Sequence, residues 1–140
     1  MADELFCSSS VNQTEEFACK FAKSVSAGSV IAMKGDLGAG KTCFVRGFAK
    51  GMGYNGDVNS PTFAIVNVYR GGRLDIYHFD MYRVGGWDDL ETTGYFDYIE
   101  AGGVLIIEWS ENIEAALPEN VITVTIEKNS ENERKITVHR

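Results

Sequence analysis

No run of about 18 apolar residues occurs in this chain of 140 residues, so no segment reads as a membrane-crossing helix. The opening decapeptide, MADELFCSSS, has early acids and lacks the basic start and apolar stretch of a secretory leader. A cytoplasmic setting is expected. Cysteine is scarce and unpatterned. Cys7, Cys19 and Cys43 form no C-x-x-C pair and no metal-ligand spacing, which fits reduced thiols. Positive charge is short as well: 13 Lys and Arg against 20 Asp and Glu leave a net charge of -7 and a pI of about 4.8. Such a chain does not hold nucleic acid by counterion release alone. Repeats, low-complexity tracts and linkers are also missing. What is present, 44% hydrophobic residues, suffices for one core, and residues 1–140 are expected to form a single domain.

Periodicity sets the expected elements. Phe17, Phe21 and Val25, with Ala18 and Ala22, share one face of a helix over 13–25, and Asn12 with Glu15 has capping-box spacing. Residues 29–33 read as a short buried strand and residues 41–52 as a second helix with Phe44, Val45, Phe48, Ala49 and Met52 inward. A polar loop over 51–61 leads to extended runs at 63–70 and 74–83, separated by a Gly71-Gly72 turn. A helix over 87–100 follows, then a strand over 104–107 and a short helix over 111–117 that stops before Pro118. An antiparallel pair at 121–127 and 135–139 closes the chain. The order predicts an α/β fold with a mixed sheet flanked by helices and a hairpin after the second helix.

The strongest chemical signal is GDLGAGKT, residues 35–42, a full match to G-x-x-x-x-G-K-[ST] between an apolar strand and an amphipathic helix. This is the P-loop of a nucleoside triphosphate-binding fold. Gly35, Asp36, Leu37, Gly38, Ala39 and Gly40 supply backbone N–H groups that can turn inward around phosphates. The helix N-terminus adds partial positive charge. Lys41 would bridge the β- and γ-phosphates, and Thr42 would offer its hydroxyl to Mg²⁺. Cys43 belongs to the same segment. Its place near a helix N-terminus can lower a thiol pKa, although a buried structural thiol is the plainer reading.

Three further motifs gain meaning beside the P-loop. VLIIE, residues 104–108, is four apolar residues ending in an acid, the Walker B pattern. Glu108 at the strand's carboxyl end would hold Mg²⁺, directly or through water, or orient an attacking water. SPTF, residues 60–63, places Thr62 where it resembles the first switch threonine of small GTPases, or else simply shapes a turn into a strand. HFDMYR, residues 78–83, sets His78, Asp80 and Tyr82 on one strand face. Asp80 in an apolar strand needs a partner, either the metal site or a structural Arg or Tyr; for His78 packing is favoured. The acids between Asp88 and Glu100 read as a solvated helix face, with docking of a basic partner as the sharper alternative.

Guanine-reading N-K-x-D and D-x-x-G motifs do not occur, so ATP is the expected nucleotide. Six arginines in all, and little spare length, disfavour a nucleotide kinase, which needs a lid and an acceptor site. A small P-loop kinase acting on another acceptor stays as the alternative, and a nucleotide-gated binding module as a third reading. No arginine finger is evident beside the phosphates, so slow hydrolysis until a partner completes the site is expected.

GDLGAGKT, Arg46-Gly47, SPTF, HFDMYR and IEWSE (107–111), in this order, resemble the TsaE family of small P-loop ATPases. That family takes part in forming N6-threonylcarbamoyladenosine at adenosine 37 of tRNA. The resemblance implies a bacterial cytoplasmic protein that binds ATP or ADP with Mg²⁺ and hydrolyses ATP slowly alone. It implies action in an assembly with the threonylcarbamoyl-transferase subunit and its inactive paralogue, resetting the transferase and reaching tRNA only through that complex. By position, Lys41 and the P-loop bind phosphates, Thr42 and Glu108 sit at the metal, and Asp80 is a catalytic or metal-shell acid. Trp109 lies near the nucleotide or a partner, and Thr14 and Arg134 at the nucleotide's outer edge. The chain departs from the family pattern in W-S-E after Glu108, where W-P-E is expected, and in the aromatic GYFDYIE at 94–100.

Overall fold

The computed structural model describes residues 3–35, 40–61 and 64–140. The readings made for Asp36, Leu37, Gly38, Ala39 and Thr62 lie outside that set.

Seven strands form one mixed sheet: β1 (Glu4–Ser8), β2 (Val30–Lys34), β3 (Val66–Tyr69), β4 (Ile76–Asp80), β5 (Val104–Glu108), β6 (Ile122–Lys128) and β7 (Arg134–His139). Their order is β1-β7-β6-β2-β5-β4-β3. The four middle strands β6, β2, β5 and β4 run parallel, while β3 and the β7–β1 edge are antiparallel. Helices α1 (Val11–Ala22) and α2 (Lys41–Gly51) cover one face. Two short helices, α3 (Trp87–Thr92) and α4 (Tyr95–Ile99), and a 3-10 helix over Ser110–Ala116 cover the other. This is the expected α/β arrangement, including the hairpin after α2.

Strand alternation decides what faces what. Ile31 and Met33 of β2, Ile76 of β4, and Val104 and Ile106 of β5 pack with Phe21, Phe44 and Phe48 of α1 and α2. Their neighbours Val30, Tyr77, Phe79, Leu105 and Ile107 pack with Leu90, Tyr95 and Ile113. Full burial of each such side chain contributes about 1.5–3 kcal/mol. By the same period of two, His78, Asp80 and Glu108 belong to the α1/α2 face. The two central strands β2 and β5 run almost continuously apolar because both their faces are covered. Among the described residues no helix is long and apolar enough to cross a membrane.

Where the structure departs from sequence expectation, local chemistry explains it. Helix α1 starts at Val11 because the Ser10 hydroxyl accepts the Gln13 N–H at 3.1 Å, while the Gln13 side chain accepts the Ser9 N–H at 2.7 Å. Asn12 and Glu15 are not the cap. The helix expected over 87–100 is broken at Gly94, whose φ of 84° is left-handed. Strand β1 was not anticipated: it is a short edge strand with only Ser8 fully buried, so its hydrophobic pattern is faint. Gly47 marks the crossing of α1 and α2. A Cβ there would collide with the Glu15 backbone, so the two helices touch main chain to main chain.

Candidate functional site

Two glycines bracket the GDLGAGKT segment's turn into the helix. Gly35 closes β2 with φ of 146°, and a Cβ on it would run into the Ile126 carbonyl, so only glycine fits. Gly40, φ 102°, opens α2 without any side-chain cap. The N-cap residue of this 11-residue helix thus offers its first N–H groups no side-chain acceptor, which suits an acceptor such as phosphate.

Lys41 begins α2 and turns toward the carboxyl ends of the central strands. Its Nζ lies 3.9 Å from Glu108 Oε1 and 5.7 Å from the Trp109 ring centroid. Glu108 ends β5, in register with Met33 on β2 and Asp80 on β4. Both acids are nearly sequestered, Glu108 at 7% exposure and Asp80 at 8%. Asp80 Oδ1 accepts the Tyr82 N–H at 2.9 Å, which fixes the carboxylate at the strand end. Trp109 has φ of 59°, and Ile65, whose carbonyl accepts the Asp80 N–H at 2.8 Å, has φ of 69°. Among the described residues these are the two non-glycine residues with left-handed backbone. They stand on either side of the acid pair. Strain of this kind costs about 1–3 kcal/mol per residue and gathers where geometry is held for function.

His78 is the group that sequence reasoning undervalued. It is fully buried, as packing required, yet it also binds: Nε2 is 2.6 Å from Glu108 Oε2, and Nδ1 is 3.2 Å from the Tyr69 hydroxyl. The signal available in the sequence was parity, since His78 and Asp80 share a strand face. What parity did not reveal was that β5 delivers Glu108 to that face.

The donors around Lys41 suit a hard cation. Two carboxylates, Asp80 and Glu108, end adjacent strands, and Thr42 follows Lys41 on α2. Oxygen-only donors of this number match Mg²⁺, which keeps several waters and shares its shell with phosphates rather than filling a protein cage.

The remaining candidates gather on the other flank of α2. Thr14, Gly40, Cys43 and Arg134 line one cleft of about 100 Å³ together with Ser10 and Val11. Thr14 is buried, its hydroxyl 2.7 Å from Ser8 Oγ. Arg134 Nη1 donates to the carbonyls of Ser130, Glu131 and Glu133, which holds its guanidinium at the β6–β7 turn. Cys43 Sγ points to the Val11 carbonyl at 3.5 Å. Burial pushes the Cys43 thiol up, and the Glu15 carboxylate adds to that, which favours the protonated thiol over the thiolate. Glu15 itself is raised by burial but lowered more by hydrogen bonds from Lys50 and Arg46, with a net downward shift.

Comparison with known proteins gives consistent results. Residues 8–136 match the family model for threonylcarbamoyl adenosine biosynthesis protein TsaE. The chain is 44% identical over 110 residues to the tRNA threonylcarbamoyladenosine biosynthesis protein TsaE of Bacillus subtilis, covering 79% of this chain and 68% of that protein. It is 37% identical over 131 residues to the Treponema pallidum protein of the same name, covering 94% and 96%. The crystal structure of Bacillus subtilis YdiB superimposes with a TM-score of 0.82 at 34% identity, over 98% of this chain and 84% of that one.

Proposed function

The chain belongs to the TsaE family, and from that premise we propose that it is a Mg²⁺-dependent ATPase of the cytoplasmic machinery that threonylcarbamoylates adenosine 37 of tRNA. It acts with the threonylcarbamoyl-transferase subunit and its inactive paralogue, resets that complex between turnovers, and meets tRNA only through it. The observation that supports this best is the approach of Lys41 to Glu108 at the uncapped N-terminus of α2. A lysine that spans two phosphates and an acid that faces the terminal one are what phosphoryl transfer to water needs.

In this reading the residues divide the work. The P-loop N–H groups and Lys41 hold the phosphates. Thr42 and Glu108 would hold Mg²⁺, with Asp80 behind them; the ion would neutralise charge on the β- and γ-oxygens. Glu108 accepts a hydrogen bond from the attacking water, whose oxygen bonds to the γ-phosphorus as the bond to the β–γ bridging oxygen breaks. ADP and inorganic phosphate leave. Buried Glu108 and Lys41 act in a poorly hydrated site, where each aligned charge counts for more than in water. Thr14 and Arg134 line the nucleotide's outer edge. The low count of arginines leaves the last stabilising charge to a partner.

The test is ATP hydrolysis with Mg²⁺, measured alone and with the transferase pair added. Slow turnover alone and strong stimulation by the pair are expected. Nucleotide binding without stimulation would sink the proposed role in the assembly, and a phosphorylated acceptor in place of free phosphate would make the protein a kinase.

A further inference from the structure

The Asn59 carbonyl ties the loop over residues 53–61, between α2 and β3, to the sheet. Asn59 O accepts the Tyr69 hydroxyl at 2.9 Å and the Asn67 side-chain amide at 3.0 Å. The Tyr54 ring packs on Tyr69 with centroids 5.1 Å apart. From Tyr69 the contacts continue inward, to His78 Nδ1 at 3.2 Å and from His78 Nε2 to Glu108 Oε2 at 2.6 Å. Tyr69, His78 and Glu108 are all buried. Three successive polar contacts, two of them sharing the Tyr69 hydroxyl, thus lead from a surface loop to the carboxylate beside Lys41.

We propose that Tyr69 and His78 are positioning residues that couple the 53–61 loop to Glu108, so that a change at either end is felt at the other. Hydrogen-bond chemistry gives the coupling its direction. An ionised carboxylate only accepts, so His78 Nε2 carries a hydrogen and donates it to Glu108. A neutral ring then presents Nδ1 as an acceptor, and the single Tyr69 hydroxyl proton has two takers, Nδ1 and Asn59 O. Hydrogen bonds in a buried chain polarise one another. A cation that draws electron density from Glu108 weakens its pull on Nε2–H and makes Nδ1 a poorer acceptor. The Tyr69 proton then turns to Asn59 and tightens the loop that leads into Ser60-Pro61. That the event at Glu108 is the arrival of metal-bound nucleotide rests on the function proposed above. The coupling itself does not, and it is tested with no nucleotide present.

Amide hydrogen exchange of the 53–61 loop is compared in the wild type, Glu108→Ala, Glu108→Gln, Tyr69→Phe and the Tyr69→Phe/Glu108→Ala double variant. E108A removes the pull on Nε2–H and leaves Asn59 O as the better taker of the Tyr69 proton, so it should slow loop exchange about fivefold, the scale of one ordinary hydrogen bond. E108Q keeps an acceptor for Nε2–H and should stay within about twofold of wild type on the same scale. In the Y69F background, E108A should add nothing, because the link is already cut. Amides of β6 and β7 serve as the reference for general loosening and should not move. An unmoved or faster-exchanging loop in E108A, an undiminished E108A effect on top of Y69F, or an equal change in loop and reference amides would each overturn the proposal. If E108A does not fold, E108D, which draws the carboxylate back by one methylene, replaces it in the same cycle.

Discussion

The two flanks of the α2 N-terminus are built differently. On one, Lys41, Glu108 and Asp80 project from helix and strand ends, nearly sealed from water and fixed by His78 and the Tyr82 N–H. On the other, Thr14, Cys43 and Arg134 line an open cleft whose rim includes Val11, 59% exposed. The sealed flank rests on the parallel core of the sheet, the open one on α1 and the β6–β7 turn. Charges that must be aligned to a fraction of an ångström sit on rigid elements. Groups that only need to cover a ligand's edge can sit on the periphery.

This contrast can be broken at four points. The largest effect is expected from Glu108→Ala in the complete assembly: turnover should fall about a hundredfold or more, with Mg·ATP affinity changed far less. Equal losses in rate and affinity would assign Glu108 to binding instead. Next, Lys41→Ala should weaken ATP and inorganic tripolyphosphate alike, by about thirty- to a hundredfold, the loss of a charge-assisted phosphate contact. Titration calorimetry with both ligands checks it.

The third lies away from both flanks and separates stability from chemistry. The Tyr95 hydroxyl donates to the Ala116 carbonyl at 2.9 Å, and burial pushes its pKa to about 12 from an ordinary 10.0. A phenol whose folded pKa is raised contributes stability that is complete below the unfolded value. That stability drains away as pH rises through the folded one. Tyr95→Phe should therefore cost about 1 kcal/mol near neutral pH and flatten the alkaline limb between 10.0 and about 12. Denaturant melts across that range decide it, while nucleotide affinity should not change. Smallest of all, Arg134→Ala should weaken ATP by about threefold, the scale of one rim contact, and leave tripolyphosphate unchanged. If tripolyphosphate weakens too, the cleft belongs to the phosphates and the division between flanks fails.

The sealed flank was also the more legible one. A glycine pattern between strand and helix, an apolar run ending in Glu108, and an acid at Asp80 are local signals, each contained within one element. What escaped notice depends on distant meetings. His78 and Glu108 are 30 residues apart and touch only because β4 and β5 pair in parallel. Strand β1 owes its place to β7 at the other end of the chain, and its own five residues give little apolar alternation. The break at Gly94 was visible as a glycine. However, the acids and aromatics around it kept a helical period that the backbone does not follow.

Gly47 carries a mechanical consequence. With bare backbone against the Glu15 main chain, and Glu15 pinned by Lys50 at 2.9 Å and Arg46 at 3.4 Å, the two helices have no side chain between them at this crossing. A displacement of α2 along its axis has no soft side chain at that point in which to dissipate. It passes to α1, and α1 follows directly on β1 at the outermost edge of the sheet. Cys7, exposed on that edge, lies one residue from Ser8, whose hydroxyl meets Thr14 in the cleft shared with Gly40. A fluorophore on that thiol should register filling of the P-loop, and a Gly47→Ala chain, with its helices forced apart, should respond less.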